Sequence, residues 1–202
     1  MRPRIAVVFA LVVLAAAPAH AHLGHVILRA ERYLKIDASE ADTRVVVSLT
    51  LGPSEGLRVL EAADRNDDGE VEQAEVDRYL AEWARGLAGE LPITIDGERA
   101  EARWTDGFLE PAGPVRQASL TVEMVAHVRT TGREHVIAVE DRMVRREIFD
   151  RTDIAFRAHD GAELAGCGLD VRDPDRCEEP DVSTAPGGPQ PERLVARVRY
   201  PR

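Results

Sequence analysis

Residues 43–51 read TRVVVSLTL, and apolar side chains at every second position alternate with polar ones. A period of two places alternate side chains on opposite faces of a β-strand, so this segment predicts a strand with one buried face. The same alternation recurs in ASLTVEMVAHV (118–128), TDIAFRAH (152–159) and RLVARVRY (193–200). These four segments predict a chain dominated by half-buried strands.

Further strands are predicted in HVILRAERYLKID (25–37), in EHVIAVED (134–141) and within LPITIDGERAEARW (91–104). The last segment carries Asp96-Gly97 between two apolar runs, a dipeptide typical of two-residue hairpin turns. Seven or eight short strands separated by turn signals indicate an antiparallel β-sandwich-like domain.

One region of the chain follows a helical period instead. From Glu72 onward, the apolar residues at 76, 79, 80, 83 and 87 recur every three or four positions. A shorter helix is predicted before it, with Leu57, Leu60 and Ala63 on one face. The fold class predicted for the whole chain is therefore α+β, mainly β, with a helix–loop–helix inserted at about 54–88.

The loop between these helices, DRNDDGEVEQAE (64–75), matches the twelve-residue calcium loop of an EF-hand, with the turn glycine at Gly69. Three side-chain oxygens, one backbone carbonyl, one water-mediated contact and one bidentate carboxylate would complete the oxygen shell that Ca²⁺ prefers. The corresponding residues at loop positions 1, 3, 5, 7, 9 and 12 are Asp64, Asn66, Asp68, Glu70, Glu72 and Glu75. Calcium is thus the predicted cofactor, and an acidic turn that caps a helix is the alternative interpretation.

The sequence contains one such loop. EF-hands usually pair through the apolar residue at loop position 8, which is Val71 here. We therefore expect Val71 to pack on the sandwich or to pair within a homodimer. A lone site in an exported protein predicts weak binding, on the order of 10⁻⁴–10⁻³ M, with a structural role for the ion.

The first 21 residues predict a signal peptide. Two arginines precede an apolar run, and Ala19-His20-Ala21 is a small-residue cleavage site, so the mature chain is expected to begin at His22. No later apolar segment is long enough to predict a membrane span. The expected location is the periplasm or the medium of a bacterium, and the net charge of −10 argues against nucleic-acid binding.

Export also bears on the two cysteines, Cys167 and Cys177, for which a disulfide is predicted because an exported protein meets an oxidising compartment. The β-sandwich-like domain is expected to span 22–177. The Pro- and Gly-rich segment 178–192 predicts a flexible linker, and 193–202 predicts a C-terminal strand.

A second motif, Gly52-Pro53-Ser54-Glu55-Gly56, matches the G-x-S-x-G turn of serine hydrolases. Pro53 disfavours the strained turn, and no strand–helix repeats follow it, so we interpret Ser54 as a helix cap rather than as a nucleophile. The protein is accordingly predicted not to be an enzyme.

The predicted mature N-terminus, His22-Leu23-Gly24-His25, offers a free amine and two imidazoles. These groups suit Ni²⁺, Co²⁺ or Cu²⁺, so His22 and His25 are candidate transition-metal ligands. Incidental histidines at a frayed terminus are the alternative.

Three stretches together, HLGHVILRAERYLKID, the segment from GPSEG to EWA, and LPITIDGERA, resemble a known type of domain. It is the extracytoplasmic N-terminal domain of bacterial nickel/cobalt exporter-like and hydrogenase/urease-accessory-like permeases. The resemblance covers roughly 22–104 and implies an envelope-facing domain tied to metal transport. The alternative function is therefore that of a soluble envelope partner of such a permease, and the expected partners include an envelope protein or a second copy of the chain.

Overall fold

The computed structural model describes residues 29–39, 42–169, 176–177, 179–184, 188 and 190–200. The predicted signal peptide and the candidate ligands His22 and His25 lie outside the described residues.

The strands in chain order are β1 (Ala30–Ala38), β2 (Thr43–Leu51), β3 (Glu70–Val71), β4 (Ile93–Ile95), β5 (Glu98–Arg99), β6 (Arg103–Glu110), β7 (Gly113–Pro114), β8 (Leu120–Val128), β9 (Glu134–Glu140), β10 (Arg151–Ala158), β11 (Glu163–Leu169), β12 (Asp181–Ser183) and β13 (Arg193–Arg199). The helices are α1 (Pro53–Ala63) and α2 (Gln73–Glu90), and a 3-10 turn spans Met143–Arg145.

Two sheets form the body of the protein. One has the strand order β12-β10-β1-β2-β8-β6 and the other the order β11-β13-β9-β4-β5, while β3 and β7 pair separately. Buried apolar side chains from both larger sheets join one hydrophobic core. The α+β, mainly β class predicted from the sequence is confirmed.

The alternation that predicted the strands matches the observed burial. Along β8, every second side chain is buried, beginning at Leu120 and ending at Val128. The two strands on either side of Asp96-Gly97, β4 and β5, pair as a hairpin, and both turn residues have positive φ, 53° and 85°. This is the backbone that the Asp-Gly dipeptide favours.

The sandwich departs from the prediction in strand direction at one pair. Strands β1 and β10 run parallel, with Leu34 opposite Ile154 and Ile36 opposite Phe156. Alternation tells which face of a strand is buried, but it carries no information on which distant strand lies beside it or in which direction.

The predicted linker 178–192 is also only partly correct, because it contains strand β12. This strand pairs with β10 through Asp181, Val182 and Ser183. Backbone hydrogen bonds extend the pairing at both ends, where Phe156 N–H donates to the Pro180 carbonyl and Thr184 N–H to the Thr152 carbonyl. A three-residue edge strand held by its backbone needs no side-chain alternation, so the sequence does not signal it.

Helix α1 begins at Pro53, and Gly52 is its N-cap. The prediction that Ser54 caps the helix is wrong: Ser54 is exposed inside the first turn, where the fixed φ of Pro53 already starts the helix. Gly56 is buried against the chain ahead of β8, and a Cβ there would lie 2.1 Å from the carbonyl oxygen of Ala118. The second glycine of the G-x-S-x-G match therefore has a packing role.

A buried ion pair lies within the core. Nη1 of Arg32 on β1 lies 2.7 Å from Oδ2 of Asp141, and both side chains are fully buried. The Arg32 guanidinium also stacks 4.3 Å from the ring centre of Phe149. Burial raises the pKa of Asp141 and lowers that of Arg32, since both groups are removed from water.

Cys167 and Cys177 form a disulfide with Cα atoms 4.2 Å apart, as predicted. Cys167 lies on β11, at the edge of the five-stranded sheet. A few residues after Cys177 the chain enters β12, at the edge of the other sheet. The disulfide thus fastens the chain where it passes from one sheet to the other. Neither helix of the described chain is long and apolar enough to cross a membrane.

Candidate metal centre

The loop of residues 64–75 lies between the two helices, as the sequence predicts. Asp64 is the C-cap of α1, and its N–H donates to the carbonyl of Leu60. Glu72 is the N-cap of α2, so the last predicted ligand, Glu75, lies in the first turn of that helix. A helix therefore fixes each end of the loop.

The backbone of the loop turns sharply at two residues. Asp67 has φ 59° and Gly69 has φ 84°, both in the left-handed region. Glycine adopts this conformation without cost, and aspartate tolerates it better than most residues. The loop glycine at position 6 thus has the conformational role that the motif predicts.

Three predicted ligands are oriented by amides of the loop itself. The N–H of Gly69 donates to Oδ2 of Asp64 and that of Asp68 to Oδ1 of Asn66, each at 2.9 Å. The N–H of Glu70 donates to Oδ1 of Asp68, also at 2.9 Å. These bonds turn the side chains at positions 1, 3 and 5 back toward the loop.

Glu75 reaches back across the loop from α2. Its Oε1 accepts from the N–H of Arg65 at 2.8 Å, and its Oε2 accepts from the N–H of Glu72 at 3.1 Å. The Arg65 bond is the largest influence on the pKa of Glu75, which lies below its usual value, while the Asp68 carboxylate opposes this shift. Glu75 therefore remains ionised, and it is close enough to Asp68 for the two charges to repel.

The two remaining predicted ligands lie at the exit of the loop. Glu70 is in β3 and Glu72 at the N-cap of α2, and both side chains are exposed. Their exposure is compatible with the predicted roles, a backbone carbonyl for Glu70 and a water-mediated contact for Glu72.

No group of three or more His, Cys, Asp and Glu side chains converges on a metal-sized point within the part of the chain that the structure describes. In the loop, the Glu75 carboxylate is engaged by backbone N–H groups, and the other acids are spaced along the turn. The donors are all oxygens, from two aspartates, one asparagine and one glutamate, which fits a hard ion such as Ca²⁺. Calcium binding remains a prediction.

The short strand of the loop has a partner within the same chain. Val71 pairs with Gly113 and Glu70 with Pro114 in the β3–β7 ladder. The N–H of Val115 donates to the Gly69 carbonyl at 2.8 Å. Val71 itself is 4% exposed and belongs to the hydrophobic core. Of the two expectations for Val71, the structure shows packing on the sandwich.

Sequence reasoning missed a charged cluster around His127. Its Nδ1 lies 2.6 Å from Oδ2 of Asp42, and its Nε2 lies 2.8 Å from Oδ2 of Asp106. The Asp42 contact is the largest cause of a raised His127 pKa. The cluster borders a cavity of about 700 Å³ that also contacts Arg103 and Arg129. Asp42 and Asp106 are 85 and 21 residues from His127, so no local pattern could have indicated it.

No known protein family and no curated protein matches this chain. The resemblance to permease-associated domains stays a prediction.

Proposed function

We propose that the protein binds one calcium ion in the loop of residues 64–75, and that the ion stabilises the helix pair without a catalytic step. The observation that carries this proposal is the hydrogen-bond network in which Gly69, Asp68 and Glu70 amides orient the oxygens of Asp64, Asn66 and Asp68. A capping box between Glu72 and Glu75 accounts for the start of α2, but helix capping does not account for the amide bonds to Asp64, Asn66 and Asp68.

The balance of charge in the loop supports the same conclusion. Arg65 is the one basic residue of the segment 64–75. Its guanidinium pairs with Glu82 on α2, which lies outside the loop. The carboxylates of the loop consequently have no basic side chain of the segment directed at them, and a divalent cation would relieve their repulsion.

The loop favours calcium over other metals by its donor chemistry. Side-chain and carbonyl oxygens in a flexible turn suit Ca²⁺, whereas Mg²⁺ prefers a smaller octahedral site and keeps its waters. Transition metals prefer nitrogen or sulfur donors, which the loop lacks.

The disulfide supports an oxidising location, since such bonds persist mainly outside the cytoplasm. We therefore propose a periplasmic or secreted bacterial protein. Millimolar extracellular calcium would occupy a site of the weak affinity typical of such modules.

The test is calorimetry and thermal unfolding of the mature chain, residues 22–202, with about 10–100 mM CaCl₂ or with a chelator. Calcium at about 100 times its dissociation constant should stabilise the fold by about 2.7 kcal/mol. Glu75→Gln should lose the heat signal and the stabilisation, because it removes the charge of the bidentate ligand but keeps an acceptor for the Arg65 N–H.

Asp67→Asn is the matched control. It removes one charge from the same loop at a non-ligand position, and asparagine tolerates the left-handed φ of residue 67. Calcium binding should survive in this variant. The proposal fails if wild type shows neither heat nor a shift in melting temperature with calcium, or if both variants lose binding equally.

A further inference from the structure

A cavity of about 460 Å³ opens beside the helix pair. We call it the apolar groove. Its lining comes from α1, from α2, from the six-stranded sheet and from the segment after the 3-10 turn; the defining side chains are Val59, Ala62, Tyr79, Trp83, Leu49 and Phe149. The volume lies in the range of pockets that hold small molecules, roughly 300–1,000 Å³.

Eleven of the sixteen residues that line the groove are aliphatic or aromatic, and the other five are charged. Tyr79 and Trp83 project from successive turns of α2, and burial raises the pKa of the Tyr79 hydroxyl. At the lip, Ile148 is 69% exposed, which is unusual for a large aliphatic side chain beside a hydrophobic cavity. These features favour an apolar occupant.

Three arginines and two glutamates border the mouth of the groove, and Glu90 beside Arg146 brings the local formal charge to about zero. The arginines are Arg29, Arg58 and Arg146, and the glutamates are Glu55 and Glu147. This balance contrasts with a whole chain of net charge −10. Arg58 is held by Glu55 at 3.0 Å and Arg146 by Glu90 at 2.7 Å. A guanidinium has five N–H donors, so each arginine held in this way still has donors for an anion.

The wall of the groove also contacts the buried arginine of the core. Phe149 lines the groove, and its ring stacks on the guanidinium of Arg32. Nε and Nη2 of Arg32 have no hydrogen-bond acceptor among the described residues. The contact with the buried cation stabilises the position of the Phe149 ring.

We propose that the apolar groove binds a small anionic amphiphile, with its aliphatic tail against Val59, Tyr79 and Trp83 and its charged headgroup at the arginines of the mouth. An apolar tail fits the lining, and a negative headgroup complements the mouth. This site is separate from the calcium loop, and the proposal does not depend on calcium binding.

The test uses three probes with the same tail and different charge: decanoate, decanol and decyltrimethylammonium, each below its micelle concentration in calcium-free buffer. Tryptophan fluorescence reports the binding, because Trp83 lines the groove. Trp83→Phe should remove most of the change, leaving the signal of the buried Trp104. Decanoate should bind most tightly and decyltrimethylammonium most weakly. Equal binding of the anion and the cation would overturn the headgroup assignment.

Three variants locate the site, with binding of decanoate measured by calorimetry. Ala62→Trp should fill the groove and weaken decanoate binding at least about 10-fold. Ala81→Trp is the matched control, because Ala81 is an exposed helical alanine that does not line the groove. Arg58→Gln should weaken decanoate binding about 2- to 5-fold and leave decanol unchanged.

A second copy of the chain could occupy the groove instead of a small molecule. Light scattering on the same variants distinguishes these two cases. A monomer that binds decanoate, with loss of binding in Ala62→Trp alone, supports the proposal. A dimer that dissociates in Ala62→Trp and fails to bind decanoate would overturn it and assign the groove to self-association. Circular dichroism of each variant shows that the helices are retained.

Discussion

Two regions of the molecule concentrate charge, and they do so in opposite ways. In the core, Arg32 and Asp141 are fully buried and lie 2.7 Å apart. In the loop, Asp64, Asp68 and Glu75 are held by backbone N–H groups, and Arg65 is directed at Glu82 instead. In the core, each charged side chain has a partner of opposite charge. In the loop, no basic side chain of the segment pairs with the carboxylates.

The stability of the loop should therefore depend on ions in the solvent, whereas that of the core pair should not. A buried pair that is complete needs no ion from solvent; its burial carries a desolvation cost, and removing one partner adds a larger one. In an acidic loop with fixed side chains, the carboxylates repel one another, and an external cation can relieve this repulsion. If this distinction is correct, changes in the core should be insensitive to calcium and changes in the loop should depend on it.

The largest effect is expected from breaking the core pair. Asp141→Ala leaves Arg32 buried without its counter-charge, and we expect a loss of about 3–5 kcal/mol in the free energy of unfolding, with or without calcium. The double variant Arg32→Met/Asp141→Asn should recover much of this loss, because it removes both charges at similar volume and keeps an acceptor for the Met143 N–H. Urea denaturation measures the stability of both variants. A loss of stability that calcium reverses would contradict the claim that the core pair is insensitive to calcium.

The second effect is calcium removal. Chelation should speed hydrogen exchange about 100-fold at the amides that the loop orders, if calcium had been at about 100 times its dissociation constant. The N–H groups of Arg65 and Val115 report the loop, since they bond to Glu75 and to the Gly69 carbonyl. The amide of Leu34 in β1 reports global unfolding, and it should accelerate as well, because the bound ion stabilises the whole fold. Acceleration at Leu34 without acceleration at Arg65 and Val115 would place the ion away from the loop.

His127 is intermediate between the buried core pair and the exposed loop. It is partly exposed, and it is bonded to Asp42 and Asp106. The pKa of His127 is raised in the folded protein, so its contacts with the two aspartates stabilise the fold fully below the pKa of histidine in the unfolded chain, about 6.5. This stabilisation is lost as the pH rises through the higher pKa of His127 in the folded protein. His127→Gln should therefore destabilise the protein more at about pH 5.5 than at about pH 9, by up to about 1 kcal/mol.

The control for this prediction is Asp42→Asn, which removes the contact with the largest effect on the His127 pKa. In that background the pH dependence of the His127→Gln effect should shrink. Thermal unfolding at the two pH values gives the result, and an unchanged pH dependence would assign the effect to another group.

The smallest effect changes sign with calcium. Asp68→Asn relieves the repulsion of Glu75, so in chelator it should leave the melting temperature unchanged or raise it slightly. In saturating calcium it should destabilise, because one ligand charge is lost. Melting temperatures in the two buffers measure the reversal, with Asp67→Asn as control; the same sign in both buffers would argue against a calcium site.

Features that depend on neighbours in sequence were predictable. Alternation identified strands such as β8, and the Asp96-Gly97 turn appears with both residues at positive φ. The helical spacing before and after the acidic loop identified α1 and α2, and Gly69 turns the chain as the motif requires. In each case the physical cause lies within a few residues of the pattern.

Features that depend on distant partners were not predictable. The parallel pairing of β1 with β10 and the Arg32–Asp141 pair join residues more than 100 positions apart. Strands β7 and β12 are two and three residues long and are held by backbone bonds. Within the candidate site, the sequence indicated the ligand set, but the partner of Val71 depended on Gly113, which carries no strand signal.

The β3–β7 pairing has a consequence for how the protein would respond to calcium. In paired EF-hands the ladder between two loops allows one ion to favour the next. Here the strand opposite Val71 is Gly113–Pro114, which offers no carboxylate of its own. Occupancy should then follow a simple hyperbola with a Hill coefficient of about one, so the stabilisation of the fold would rise gradually with calcium concentration and without a threshold.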